Sequence, residues 1–254
     1  MMRTYFKSLY QRTMHEAYAA AWRELVSALS DGGKCLDCGA QKGQAYDAIC
    51  RETALSPERY FGIEWNRVCV QAGQARGLNI IQGDLNAALP YKSQSYQCVF
   101  ALSVLEHLIN GCHFISECHR VLEPQGRLIL LTPNISTFFS IFQLLMGKMP
   151  SSCPHPDSNF LLDNEKPIQV SDIGRADVEE DFPLHRDMVV FSFRVLRNYL
   201  RIAGFSEVKG SGFGLYPFPN CLQPVLEKID PYHCHQMVMV ARKKNTRIYI
   251  YNRA

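Results

Sequence analysis

The chain has 254 residues, 47% of them hydrophobic, and a net charge of +3. That is enough to bury one substantial core and too weakly basic to demand a polyanionic partner. No run reaches the length of a membrane-spanning helix, and the polar start Met1–Leu9 lacks the apolar stretch of a signal peptide.

The ten cysteines therefore read as reduced thiols of a cytoplasmic protein. No metal is expected: Cys35 and Cys38 lie on a strand and its exit, and Cys112 and Cys118, in a loose cluster with His113 and His119, fall on different faces of a helix. The cations of the tail Arg242–Arg253 read as a solvated end.

In chain order, Tyr5, Leu9, Ala17, Ala21, Leu25 and Leu29 recur at helical spacing and predict an N-terminal helix, broken by Asp31, Gly32 and Gly33. Lys34–Gln44 (KCLDCGAQKGQ) is the stretch around which the rest is arranged. Cys35 and Leu36 predict a buried strand, Asp37 its carboxyl edge, and Gly39 and Gly43 a tight turn into a helix over Gln44–Arg51. Glycine tolerates positive φ and carries no Cβ, so a ligand can lie against main-chain N–H groups there.

Further strands are predicted at Arg59–Glu64, Leu78–Leu85, Tyr96–Leu102 (running into SVLEHL) and Gly126–Leu131, with helical patterns between them. Beyond Thr132–Asn134 come a helix over Ile135–Gly147, an irregular stretch Lys148–Leu184, a helix Phe193–Ala203 ended by Gly204, and strands at Glu207–Gly214 and Gln236–Ala241 around the Pro-rich Tyr216–Pro224. Arg247–Tyr251 either adds an edge strand or stays loose. The pattern predicts an α/β fold: a doubly wound, mostly parallel seven-stranded sheet with helices on both faces, ligands lying outside the strand carboxyl ends, and an inserted substrate-side region.

The residues in these strand ends carry a resemblance. LDCGAQKG at Leu36–Gly43 resembles the LDxGxGxG loop of class I S-adenosylmethionine-dependent methyltransferases, Glu64 their ribose-binding acid, and GDL at Gly83–Leu85 their adenine-contacting segment. SVLEHL followed by RVLEPQGRLILLTPN is similar to the small-molecule branch, which includes ubiquinone-type and glycan O-methyltransferases. The similarity covers roughly Asp31 to Asn134 and returns at Phe191–Phe205 and the last strand. One departure is Gln41, where the family has its middle glycine; its Cβ would crowd the methionine moiety.

The resemblance implies S-adenosyl-L-methionine as cofactor, with S-adenosyl-L-homocysteine as product. Its site would be the turn Gly39, Ala40, Gln41 and Gly43, with Asp37 on the ammonium group and Glu64 on the ribose hydroxyls. Trp65 would flank the ribose or adenine, Asp84 and Leu85 would read the adenine, and Leu102 and Ser103 would floor the cleft under the sulfonium. Glu64 and Asp84 each have a plainer alternative as a cap of the next turn. The domains are then a helical cap at 1–30, a cofactor-binding core at 31–134, an acceptor-side insertion or lid at 135–190, and the rest of the α/β domain at 191–254.

Methyl transfer to a hydroxyl needs a base, and His107 and His185 are the catalytic candidates, while Glu106 reads as structural. The expected partner is a small-molecule acceptor, a hydroxyl of a sugar or cell-envelope precursor. Nucleic acid is not expected: ALSVLEH stands where base-modifying relatives carry an acid or Asn, two prolines and an aromatic residue, and there is no basic stripe. A non-catalytic protein that keeps the fold, suggested by Gln41, and a quinone or lipid methyltransferase are the alternatives; a dinucleotide oxidoreductase would want GxGxxG. Residues 138–146 (Phe138–Met146) are either a lid or dimer contact or a peripheral membrane anchor. The lack of basic residues before them favours the former.

Overall fold

The computed structural model describes residues 2–30, 32–150, 158 and 186–244. His185, nearly all of the 148–184 stretch and Arg247–Tyr251 lie outside the described residues.

Seven strands form one sheet: β1 (Cys35–Cys38), β2 (Tyr60–Glu64), β3 (Asn79–Gln82), β4 (Tyr96–Leu102), β5 (Leu122–Pro133), β6 (Phe205–Phe213) and β7 (Gln236–Lys243), in the order β3-β2-β1-β4-β5-β7-β6. The first five pair in parallel, and β7 runs antiparallel between β5 and β6. Because successive side chains in a strand point to opposite faces, each central strand feeds two cores. Leu36, Val99, Leu128, Leu130 and Met239 face α4 (Gly111–Val121) and a later helix, Phe193–Ile202. Cys35, Phe100, Ile129, Leu131 and Val238 face α1 (Met2–Leu29), α2 (Gln44–Cys50) and α3 (Arg67–Gln74).

α1 reaches the sheet through a stripe at four-residue spacing, Leu9, Thr13, Ala17, Ala21 and Leu25, all buried. Its middle members are small, so the helix axis lies close to the strands. The Pro-rich piece does not lie over a ligand cleft but packs along the first half of α1: the Tyr5 hydroxyl donates to Pro217 O (2.7 Å), Tyr216 to Thr13 Oγ1 (3.0 Å) and Asn220 to Ser8 Oγ (3.2 Å).

Most element boundaries fall within a few residues of expectation, and the differences have local causes. β3 stops at Gln82 because the Gly83 N–H turns to Glu64 O (3.0 Å) and Asp84 opens a turn. β5 starts four residues earlier than predicted, at Leu122 paired with Tyr96, with an irregularity before Cys98. α5 (Phe138–Leu145) is shorter than Ile135–Gly147 because Thr137 caps it, its Oγ1 accepting the Ser140 N–H at 2.9 Å. Phe142, Leu144, Leu145 and Met146 on and after α5 are exposed. In chain order the remaining helices are α6 (Phe193–Ile202) and α7 (Gln223–Ile229). Among the described residues no helix is long and apolar enough to cross a membrane.

Candidate cofactor cleft

The turn after β1 needs backbone conformations that L side chains rarely adopt: φ is +87° at Gly39 and +84° at Gly43. A Cβ at either would also strike a neighbour, Val104 Cγ2 at 2.5 Å or Leu78 Cδ1 at 2.2 Å. Gln41 takes φ +48° without being glycine. The loop is pinned to the end of β2, where Ile63 O accepts the N–H groups of Gly39 (2.9 Å) and Ala40 (3.2 Å). Glu64 completes the brace: Oε2 accepts the Gln41 N–H at 2.9 Å and Oε1 the Asn66 N–H at 2.8 Å.

Beside this loop a small cleft of about 100 Å³ opens to solvent, lined by Tyr18, Trp22, Asp37, Gly39, Ala40, Gln41, Gln44, Ala45, Phe100 and Leu102. Asp37 is 4% exposed, and its Oδ2 accepts the Tyr60 hydroxyl at 2.5 Å. Burial pushes its pKa up to about 7; the Tyr60 hydrogen bond pulls the other way, and the charge of Glu64 adds to the rise.

The structure thus brings Asp37, Gly39, Ala40, Gln41 and Leu102 together on one wall, with Gly43 closing the turn behind them. Ser103 stands at the end of β4 with φ +56°, its N–H on Leu131 O (2.8 Å) and its Oγ accepting the Tyr18 hydroxyl (3.2 Å). Six expected residues do not line this cleft: Gly43 and Ser103, and also Glu64, Trp65, Asp84 and Leu85. Glu64 braces the loop from the next strand, and Trp65 beyond it is 72% exposed. Asp84 Oδ1 accepts both the N–H (2.8 Å) and the side-chain amide (3.0 Å) of Asn86, the capping alternative, while Leu85 packs into the core.

His107 lies in the short turn after β4, with Nδ1 at 2.8 Å from Arg186 O and 3.6 Å from Asp187 Oδ1. The same turn receives the N–H groups of Met188 (2.6 Å) and Val189 (3.2 Å) on Glu106 O, so it anchors the segment that leads into α6. The Glu106 carboxyl is buried and accepts the Thr132 hydroxyl at 2.9 Å. Burial raises its pKa to about 7, opposed by His107 and assisted by Asp187. Sequence reasoning did not assign Tyr18, Trp22 or Phe100 to the site. Tyr18 and Trp22 stand four apart on one face of α1, and that spacing was the available signal. Among the described residues no group of three or more His, Cys, Asp or Glu is placed to hold a metal ion.

A sheet ordered 3-2-1-4-5-7-6, with its one antiparallel strand second from the edge and a glycine turn after β1, defines the class I methyltransferase fold. Residues 36–130 match the family described as a methyltransferase domain, and the chain has the fold of class I S-adenosylmethionine-dependent methyltransferases.

Among curated proteins the chain is 35% identical over 109 residues to a probable S-adenosylmethionine-dependent methyltransferase of Mycolicibacterium smegmatis, covering 42% of this chain and 40% of that one. A Mycobacterium tuberculosis protein of the same description is 30% identical over 105 residues, covering 41% and 36%. The alignments thus span well under half of either relative. Among solved structures, a putative methyltransferase from Haloferax volcanii, in complex with the Trm112 methyltransferase activator, aligns with a TM-score of 0.55 at 16% identity over 94% of this chain and 92% of that one. A possible histamine N-methyltransferase of Thermotoga maritima gives 0.53 at 15%, over 95% and 99%. The [4+2]-cyclase SpnF also shares the fold, at 0.51 and 16%, over 87% and 80%, so the fold alone does not set the reaction.

Proposed function

We propose that this chain transfers a methyl group from S-adenosylmethionine to a hydroxyl of a small-molecule acceptor, a sugar or cell-envelope precursor, in the cytoplasm. The observation that carries the reading is Asp37: a buried carboxyl, with one oxygen on Tyr60, set in the wall of an open cleft beside a left-handed glycine turn. That donor set fits the cofactor. Asp37 would hold its ammonium group, and Glu64, already fixed by two backbone N–H groups, would hold the ribose. Trp65, Asp84 and Leu85 would serve the nucleoside end from the rim, and Ser103 with Leu102 would floor the middle.

When bound, the cofactor supplies a methyl group on an electron-poor sulfur. The chain's own work is alignment and exclusion of water: Tyr18 and Trp22 of α1 wall the cleft, and Ser103, held by Tyr18, ends β4 at its edge. In this reading His107, oriented through Nδ1, and His185 are the two expected bases. The free thiols of the nine described cysteines suit a reducing compartment. The exposed apolar side of α5 belongs to the acceptor-side region.

The test is transfer of label from methyl-tritiated S-adenosylmethionine into a small-molecule extract, with Asp37→Ala as control. The expected label enters a neutral, base-stable product and is lost with Asp37. Label found only in nucleic acid, or none while the cofactor binds, would refute the activity.

A further inference from the structure

The cofactor cleft lies over β1 and β4, but a second set of polar groups gathers at the same carboxyl edge, at the start of β7. His235 immediately precedes that strand, its N–H on Gly214 O (2.8 Å) and its carbonyl accepting the Asn134 N–H (3.0 Å). Its ring stacks on Tyr216, centroids 5.0 Å apart, and meets Tyr10 of α1 edge-on at 6.1 Å. Tyr216 is itself fixed, its hydroxyl on Thr13. Neither the Tyr10 hydroxyl nor the His235 ring nitrogens hydrogen-bond another described residue.

The next residue adds an independent observation. Gln236 is 6% exposed, and its Oε1 is fully enclosed with no hydrogen-bond partner. Buried polar atoms are almost always paired, so an orphan of this kind asks for a partner from outside the chain. Register places Gln236 opposite Pro133 of β5 and Phe213 of β6, on the face that Val238 and Leu131 share with α1. Tyr10, His235 and Gln236 therefore gather where α1 crosses the start of β7, two strand spacings, about 10 Å, from β4 and Ser103.

We propose that Tyr10, His235 and Gln236 form the subsite that binds the ring of the methyl acceptor, and that this ring is uncharged and carries several hydroxyl groups. The inference rests on the methyl-transfer reading above. His235 is half-buried as a residue, and dense packing desolvates its ring and pulls its pKa down to about 4, so at neutral pH one nitrogen donates and the other accepts. A phenol and an amide oxygen complete a set suited to hydroxyls. The charges that act on Tyr10 are the carboxyls of Asp187 and Glu106, which disfavour an anion. Both are engaged elsewhere, Asp187 beside His107 and Glu106 on Thr132, so neither is presented to a cation.

The experiment uses the chain with 13C-labelled histidine, saturated with S-adenosylhomocysteine, and follows the His235 ring by NMR, its resonance assigned from His235→Asn. The probes are the methyl glycosides of glucose, galactose, mannose and rhamnose, with methyl glucuronoside and methyl glucosaminide as charged counterparts. At least one neutral glycoside should shift the ring, and its affinity should fall about tenfold in His235→Ala and in Gln236→Leu, the loss of one buried hydrogen bond. His235→Asn, which keeps a donor and an acceptor, should retain part of the affinity and guards against a folding defect. A ring that no neutral glycoside moves, that only the charged ones move, or whose ligand binds the variants unchanged overturns the subsite. Absence of S-adenosylhomocysteine binding to the unmutated chain would instead overturn the parent reading.

Discussion

Asp37 shows how one side chain ties stability to ligand binding. Its carboxyl titrates at 3.8 when solvated and at about 7 in the fold. Between those values the folded chain holds the extra proton, so this group makes stability fall as pH rises through that window, by on the order of 4 kcal/mol, and level off above it. Glu106, raised to about 7 from 4.5, acts in the same direction. Urea melts from pH 4 to 8 should show this decline, and Asp37→Asn should make it shallower. Gln41 is the other telling residue: at φ +48° it bears left-handed strain where the LDxGxGxG loop that it resembles has glycine. Gln41→Gly should raise stability by up to about 1 kcal/mol and tighten cofactor binding, read in one melt and one titration.

At the scale of elements, the sequence made the strands legible by their apolar runs, two of them closed by an acid. Cys35–Asp37 and Arg59–Glu64 were found with that terminal acid, and Tyr96–Leu102 by its apolar run alone. Caps and ties that join distant segments were not legible. Lys243, the last residue of β7, is buried at 6% exposure, with Nζ donating to His119 O and Leu122 O at 2.7 Å each, the carbonyls where α4 gives way to β5. Nothing in the local pattern distinguishes it from the exposed Lys209. Lys243→Met should cost about 1–3 kcal/mol by thermal or urea melt, because buried acceptors lose their donor, whereas Lys209→Met should stay within about 0.5 kcal/mol. In α1 the Ala17 and Ala21 positions were legible as an apolar stripe, yet its small residues decide how close Tyr18 comes to Ser103. That distance depends on packing across 85 positions of chain.

For the whole molecule, alternation of strand and helix implied a parallel sheet covered on both faces, and the two cores sort by odd and even strand positions as that requires. The reversed direction of β7 was not legible: a strand pattern carries no sense of direction, and long connections permit either. The site divides the same way. The turn and Asp37 were legible because their residue types are forced by backbone geometry and charge, whereas the walls from α1 and the edge at His235 exist only once the sheet has closed against the helix.

The proposed reading makes the chain a holder of S-adenosylmethionine, and a calorimetric titration with that molecule between pH 5.5 and 8.5 tests it most directly. The account expects saturable one-site binding above pH 7. Affinity should weaken by up to tenfold per pH unit below pH 7 as Asp37 takes up its proton, and Glu64→Ala should weaken it about 100-fold, the loss of charge-assisted hydrogen bonds. A titration of the unmutated chain that releases no heat at any pH, or an affinity indifferent both to pH and to Glu64, would contradict it.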